Sequence, residues 1–96
     1  MRKEKEINEI KKRIVPILRK NNIKKAGIFG SYARGEQKRG SDVDIIIEPP
    51  KDMGIAFFGV ILELEKRLGK KVDLLTYRSV HPYLKKYILG DEIRII

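Results

Sequence analysis

The sequence predicts an α+β fold, a small mixed β-sheet with helices packed on one face, in a single domain spanning residues 1–96. Three features predict it. Two stretches repeat their apolar residues at helical spacing, short aliphatic runs of strand length alternate with them, and the chain is long enough for one hydrophobic core only.

Ile7, Ile10, Ile14, Ile17 and Leu18 recur at helical spacing and mark an amphipathic first helix from about Lys3 to Asn21. Pro16 lies inside that pattern and, having no N–H to donate, predicts a kink or an early end. Ala26-Gly27-Ile28-Phe29 then reads as the first strand. The small pair Gly30-Ser31 lets the backbone turn sharply, with Ser31 as N-cap of a short helical turn over Tyr32-Ala33-Arg34. Val43 to Glu48 forms the second strand, stopped by Pro49-Pro50. Ile55 to Leu68 reads as the next helix, with Phe57, Ile61, Leu64 and Leu68 on one side and Gly69 closing it. Lys71 to Thr76 is a third short strand. A final helix runs from Pro82 to Leu89, started by His81 and ended by Gly90, and Glu92 to Ile96 supplies a last strand. Tyr83 and Tyr87, one helical turn apart, read most simply as packing residues, although exposed phenols would be chemically able to accept a nucleotide. Phe57, Phe58 and Tyr32 serve either in stacking on a base or in the core.

Composition limits what such a domain does. With no cysteine, disulfide staples and thiol chemistry are excluded, and a single histidine gives a zinc site little to build on. No apolar run approaches membrane-spanning length, and the amino terminus has the character of a charged helix, not of a signal peptide; the expectation is a soluble, cytoplasmic protein. The formal charge of +9 is uneven: Arg2, Lys3, Lys5, Lys11, Lys12, Arg13, Arg19, Lys20, Lys24 and Lys25 stand against Glu4, Glu6 and Glu9. Such a basic face is either a solvated helix surface or an attractor for nucleic acid, an acidic protein or a triphosphate.

The chemistry-bearing residues cluster between the first two strands. A turn at Gly30-Ser31 presents backbone N–H groups that, with the Ser31 hydroxyl, suit the oxygens of a di- or triphosphate. Arg34 follows on the same turn and either adds a charge-assisted contact to a phosphate or is a solvated surface group. Asp42 and Asp44 stand two apart at the start of the second strand, and period-two alternation sends both to one face while Val43 points into the core. Two carboxylates on one face raise each other's pKa unless a cation or solvent separates them, and hard oxygen ligands beside phosphate favour magnesium. The bland alternative makes Asp42 and Asp44 turn and cap residues after Gly40-Ser41. Asp73, lone among the aliphatic residues of the third strand, is either a strand-end acid paired with Lys70, Lys71 or Arg78, or the third member of a carboxylate cluster that helps to orient or deprotonate an attacking hydroxyl.

Gly30-Ser31, ten intervening residues, Asp42-x-Asp44, and the later Val72-Asp73-Leu74 together resemble the nucleotidyltransferase superfamily typified by DNA polymerase beta. The wording Gly-Ser-Tyr-Ala-Arg-Gly-Glu followed by Ser-Asp-Val-Asp is similar to the minimal nucleotidyltransferases of prokaryotes, over nearly the whole chain. The resemblance implies a palm-like sheet and transfer of a nucleoside monophosphate from a triphosphate to a hydroxyl, with release of pyrophosphate. It implies two magnesium ions held by Asp42 and Asp44, one of them shared by Asp73, with Gly30, Ser31 and Arg34 around the nucleotide. It further implies ATP as substrate and a HEPN-type toxin as partner, the chain acting as antitoxin by placing AMP on a tyrosine of that toxin. Two other readings remain: an antitoxin that masks its partner by binding alone, and a basic nucleic-acid-binding module centred on Lys11, Lys12 and Arg13.

Overall fold

A computed structural model describes residues 2–96. Its elements run α1 (Arg2–Lys20), β1 (Ala26–Phe29), α2 (Gly30–Arg34), β2 (Val43–Ile47), α3 (Ala56–Leu68), β3 (Val72–Thr76), α4 (Pro82–Asp91) and β4 (Ile93–Arg94). The strands form one sheet in the order β3-β2-β1-β4. β1 is antiparallel to both its neighbours, whereas β2 and β3 are parallel, so the sheet is mixed as expected and α3 is the crossover that a parallel pair demands.

Alternation along the strands divides the side chains between two faces. Ala26, Ile28, Val43, Ile45, Ile47, Val72 and Leu74 point to one face, where they join Ile7, Ile10, Ile14 and Leu18 of α1 and Val60 and Leu64 of α3 in the main core. The opposite face carries a smaller cluster, in which Phe29, Ile46 and Val80 are buried and Leu75, Tyr77 and Ile88 pack against them. That second face is therefore only partly open, since Ile88 of α4 rests on it.

α1 continues unbroken through Pro16 to Lys20, against the expected kink or early end. Pro16 itself is exposed and the carbonyl it deprives belongs to exposed Lys12, so water can replace the lost bond, while Ile14 and Leu18 keep the buried stripe continuous across it. Gly90 does not stop α4 either, and β4 is two residues long instead of five. Gly69 closes α3 in the left-handed conformation, as its position predicts. His81 caps α4, its Nδ1 accepting from the Tyr83 N–H at 3.1 Å.

Two polar contacts hold the thinner face. Glu92 crosses β1 where only Gly27 leaves room, because a Cβ there would run into its carboxylate. The Tyr77 hydroxyl donates to Glu92 Oε2 at 2.5 Å, and Lys25 Nζ lies 4.4 Å from the centre of the Tyr77 ring. Burial and the neighbouring Glu92 carboxylate push the Tyr77 phenol up, so it stays protonated as the donor.

Candidate active site

One end of the second face brings the predicted acids together. The register sets Phe29, Asp44 and Asp73 in one row across β1, β2 and β3, with Asp44 directly beside Asp73 on the neighbouring parallel strand. Neighbouring strands run about 4.8 Å apart, so the two carboxylates stand side by side. The start of β3 is fixed from two directions: the Val72 N–H donates to Glu65 Oε2 of α3 at 2.9 Å, and the Val43 N–H donates to the Lys71 carbonyl at 2.9 Å. Register is set by those bonds and by the apolar alternation, so Asp73 is carried to this position by the fold of β3.

Asp42 lies just before β2 and is exposed; Asp73 is also exposed, while Asp44 is half-buried. Partial burial first, then the charges of Asp73 and Asp42, push the Asp44 carboxyl up from its ordinary 3.8 to about 6, with Arg34 opposing the rise. The same charges make the spot receptive to a cation. Oxygen-only donors and an anion already destabilised by its neighbours fit magnesium, with Asp44 central and Asp42 and Asp73 flanking it. Among the described residues no three acidic, imidazole or thiol groups form a ready-made cage around one point. The acids form an open shelf that would hold the ion together with phosphate oxygens and water.

The turn beside this row is built on Gly30, whose φ of 71° lies in the left-handed region. A Cβ at Gly30 would run into Asp44 Oδ2, so this glycine is what allows the carboxylate to lie against the turn. Ser31 is not the N-cap: Phe29 occupies that position without a side-chain bond, because the helical turn begins one residue earlier, at Gly30. Among the described residues the Ser31 hydroxyl makes no hydrogen bond to protein. The turn closes at Gly35, φ 72°, where the Glu36 N–H donates to the Ser31 carbonyl at 2.8 Å. A second tight turn, Lys38 to Ser41, delivers the chain to Asp42: the Lys38 N–H donates to Ser41 Oγ at 2.8 Å, and the Ser41 N–H to the Lys38 carbonyl at 2.9 Å.

Arg34 is near enough to Asp44 to affect its charge, and two of its five donors are engaged elsewhere. Nε donates to Glu36 Oε1 and Nη1 to Asp91 Oδ2, both at 2.8 Å. Asp91, on the last turn of α4, is thus a residue of the site's surroundings that the sequence pattern does not reveal, since it is 57 residues from its partner. Of the aromatic candidates, Tyr32 is buried in the main core and Phe57 packs against it, whereas Phe58 is exposed. Tyr83 and Tyr87 are not packing residues: they are 80% and 64% exposed, because α4 touches the sheet through Ile88 and buries no side chain fully. None of Lys70, Lys71 and Arg78 is bonded to Asp73 among the described residues.

Comparison with known proteins bears on this geometry. A family model described as the nucleotidyltransferase domain matches residues 5–95. A protein of Methanocaldococcus jannaschii, provisionally named a protein adenylyltransferase, is 50% identical over 91 residues, covering 94% of this chain and 98% of its own. The protein adenylyltransferase MntA of Thermococcus cleftensis is 35% identical over 74 residues, covering 76% of this chain and 75% of its own. Among solved structures, a toxin–antitoxin crystallised with AMP-PNP superposes with a TM-score of 0.79 at 28% identity, over 90% of this chain and 72% of that one. A structure provisionally described as a minimal nucleotidyltransferase shares the fold, with a TM-score of 0.80 at 24% identity, over 93% of this chain and 92% of that one.

Proposed function

The chain belongs to the nucleotidyltransferase family and is an enzyme of that kind; on that premise we propose that it transfers AMP from ATP to a hydroxyl of a partner protein. The partner is a HEPN-type toxin and the chain its antitoxin, the whole of residues 1–96 working as one catalytic domain. The observation that carries this reading is the row in which Asp44 stands in register with Asp73 and against the Gly30 turn. The naming of two relatives as protein adenylyltransferases supports it, as do structural neighbours that are toxin–antitoxin complexes, one of them holding AMP-PNP.

In this mechanism Gly30 and Ser31 hold the outer phosphates of ATP, the free Ser31 hydroxyl adding a donor. Arg34, held between Glu36 and Asp91, supplies positive potential at the same side. The acceptor oxygen attacks the α-phosphorus, the bond from that phosphorus to the bridging oxygen breaks, and pyrophosphate leaves. Asp73, exposed at the edge of the row, orients the acceptor hydroxyl and receives its proton. Asp42, Asp44 and Asp73 would hold magnesium, which when bound supplies charge that acidifies the hydroxyl and neutralises the leaving pyrophosphate. The small domain contributes the donor half of the reaction, and the partner contributes the hydroxyl together with a wall over the open shelf.

Incubating the protein with α-labelled ATP, magnesium and a HEPN-type partner protein should label that partner. Asp42→Ala and Asp44→Ala should each lower the rate at least a thousandfold, equivalent to about 4 kcal/mol of transition-state stabilisation. If the wild-type protein transfers label from no nucleoside triphosphate, while Asp44→Ala still silences the toxin at stoichiometric amounts, the protein is an antitoxin that acts by binding alone.

A further inference from the structure

A groove of about 630 Å³ lies on the helix-covered side of the same sheet end, lined by residues that take no part in the acid row. Its positive charge comes from three separate segments: Lys5 and Arg13 from α1, Lys38 and Arg39 from the turn before Asp42, and Lys70 from the link into β3. None of these five side chains is ion-paired among the described residues. Segments far apart in sequence thus place unneutralised cations around one concave surface, which a merely solvated helix face does not require. The basic residues Lys11 and Lys12, which the sequence groups with Arg13, do not line it.

The groove is not uniformly positive. Glu6 and Glu9 line it as well, and Gln37 on its wall donates to Glu6 while its own carbonyl oxygen is buried without a donor. Cations beside acceptors suit a ligand that carries both phosphates and hydrogen-bond donors. Nucleotides have both, in the backbone phosphates and in the exocyclic amines and sugar hydroxyls. An acidic peptide offers carboxylates to the lysines but would meet Glu9 with like charge. A duplex is stiff, whereas a single strand can follow a curved groove of this size.

We propose that this groove binds single-stranded nucleic acid, with Lys5, Arg13, Lys38, Arg39 and Lys70 contacting phosphates and Glu9 accepting from base or sugar donors. This activity is separate from nucleotidyl transfer, and its test is independent of it. Because Lys38 and Arg39 belong to the turn that delivers Asp42, a bound strand would lie immediately behind the catalytic shelf.

Fluorescence anisotropy with labelled 12-nucleotide RNA and DNA single strands measures this directly, in 50–200 mM salt without triphosphate. Wild-type binding should weaken steeply with salt. Arg13→Glu/Lys38→Glu/Arg39→Glu should weaken it at least tenfold and flatten the log–log salt slope by about 2, as expected for three lost contacts at about 0.7 each. Lys11→Glu/Lys12→Glu/Arg19→Glu makes the same change in net charge outside the groove and should cost less than threefold. All six positions are exposed, so both variants keep the fold. Tighter binding of RNA than DNA assigns part of the recognition to the 2′-hydroxyl; equal binding assigns it to phosphates and bases, and either supports the groove. The proposal is overturned by no binding at 50 mM salt, by equal loss in the two triple variants, or by a polyglutamate peptide that displaces the strand as well as unlabelled oligonucleotide does.

Discussion

The two faces of the sheet are built from alternate residues of the same strands, yet they are held in different ways. On the helix-covered face, Ile14, Leu18, Ile28, Ile45, Ile47 and Leu64 are wholly excluded from water. On the other, three buried residues and a hydrogen bond between Tyr77 and Glu92 do the work. Along β2 the contrast falls between adjacent residues, with Val43 and Ile45 in the main core and Asp44 between them facing the shelf. Stability is concentrated on one side, which leaves the other free to keep a half-buried carboxylate beside a second one. A carboxylate so placed weakens the fold wherever no positive charge offsets it.

The largest way to break the contrast is to cut into each face. Leu64→Ala removes a fully buried side chain between α3 and the sheet and should cost about 3 kcal/mol. Val80→Ala, in the small cluster, removes less volume from a region that can collapse or admit water, and should cost about 1 kcal/mol. Urea melts of the two variants would measure the difference. Equal losses would mean that the second face is as much a core as the first.

Gly30→Ala addresses the seam between fold and site. The left-handed conformation alone costs a side chain roughly 1–2 kcal/mol, and the new methyl must also displace Asp44 Oδ2. Stability should fall by about 2 kcal/mol, and label transfer should fall by far more than that loss explains, since the carboxylate is moved. A variant equally unstable but fully active would separate Gly30 from the site.

Much of this was readable in the residues themselves, for physical reasons. The spacing of Ile7, Ile10, Ile14 and Leu18 and the short run Ala26 to Phe29 locate their elements because burial imposes those periods. Local alternation is enough to set Asp44 on the face opposite Val43 and Ile45, and the sharp turn at Gly30 is local as well. What local pattern does not reveal is what depends on distant chain. Asp73 reaches Asp44 only through the parallel register of β3, and Arg34 is held by Asp91 from the far end of α4. Pro16 misleads because its effect depends on which side of α1 faces water. Tyr83 and Tyr87 mislead because the spacing of residues on one helix face does not say whether that face meets the sheet. The basic groove is likewise invisible in the run of lysines, being assembled from three segments of which α1 is only one.

The smallest expected effect concerns Asp44 as a charge within the fold. Its carboxyl titrates near 6 in the folded chain against an ordinary 3.8, so between those values the folded state holds more protons than the unfolded state. Stability contributed by the protonated form is therefore full below about pH 4 and is lost as pH rises through about 6. Asp44→Asn, which cannot ionise, should be the more stable protein at pH 7.5 by about 1 kcal/mol, a figure reduced for solvent screening at a half-open position. Melts in chelator at pH 4 and pH 7.5 should show that advantage vanishing at the lower pH. Magnesium added at pH 7.5 should then stabilise the wild-type protein and not the variant, because an ion that binds only the folded state adds stability that grows with the logarithm of its concentration above the dissociation constant. An advantage of Asp44→Asn that is the same at both pH values would show that its cause is packing, and that the acid row exerts no electrostatic strain on the sheet.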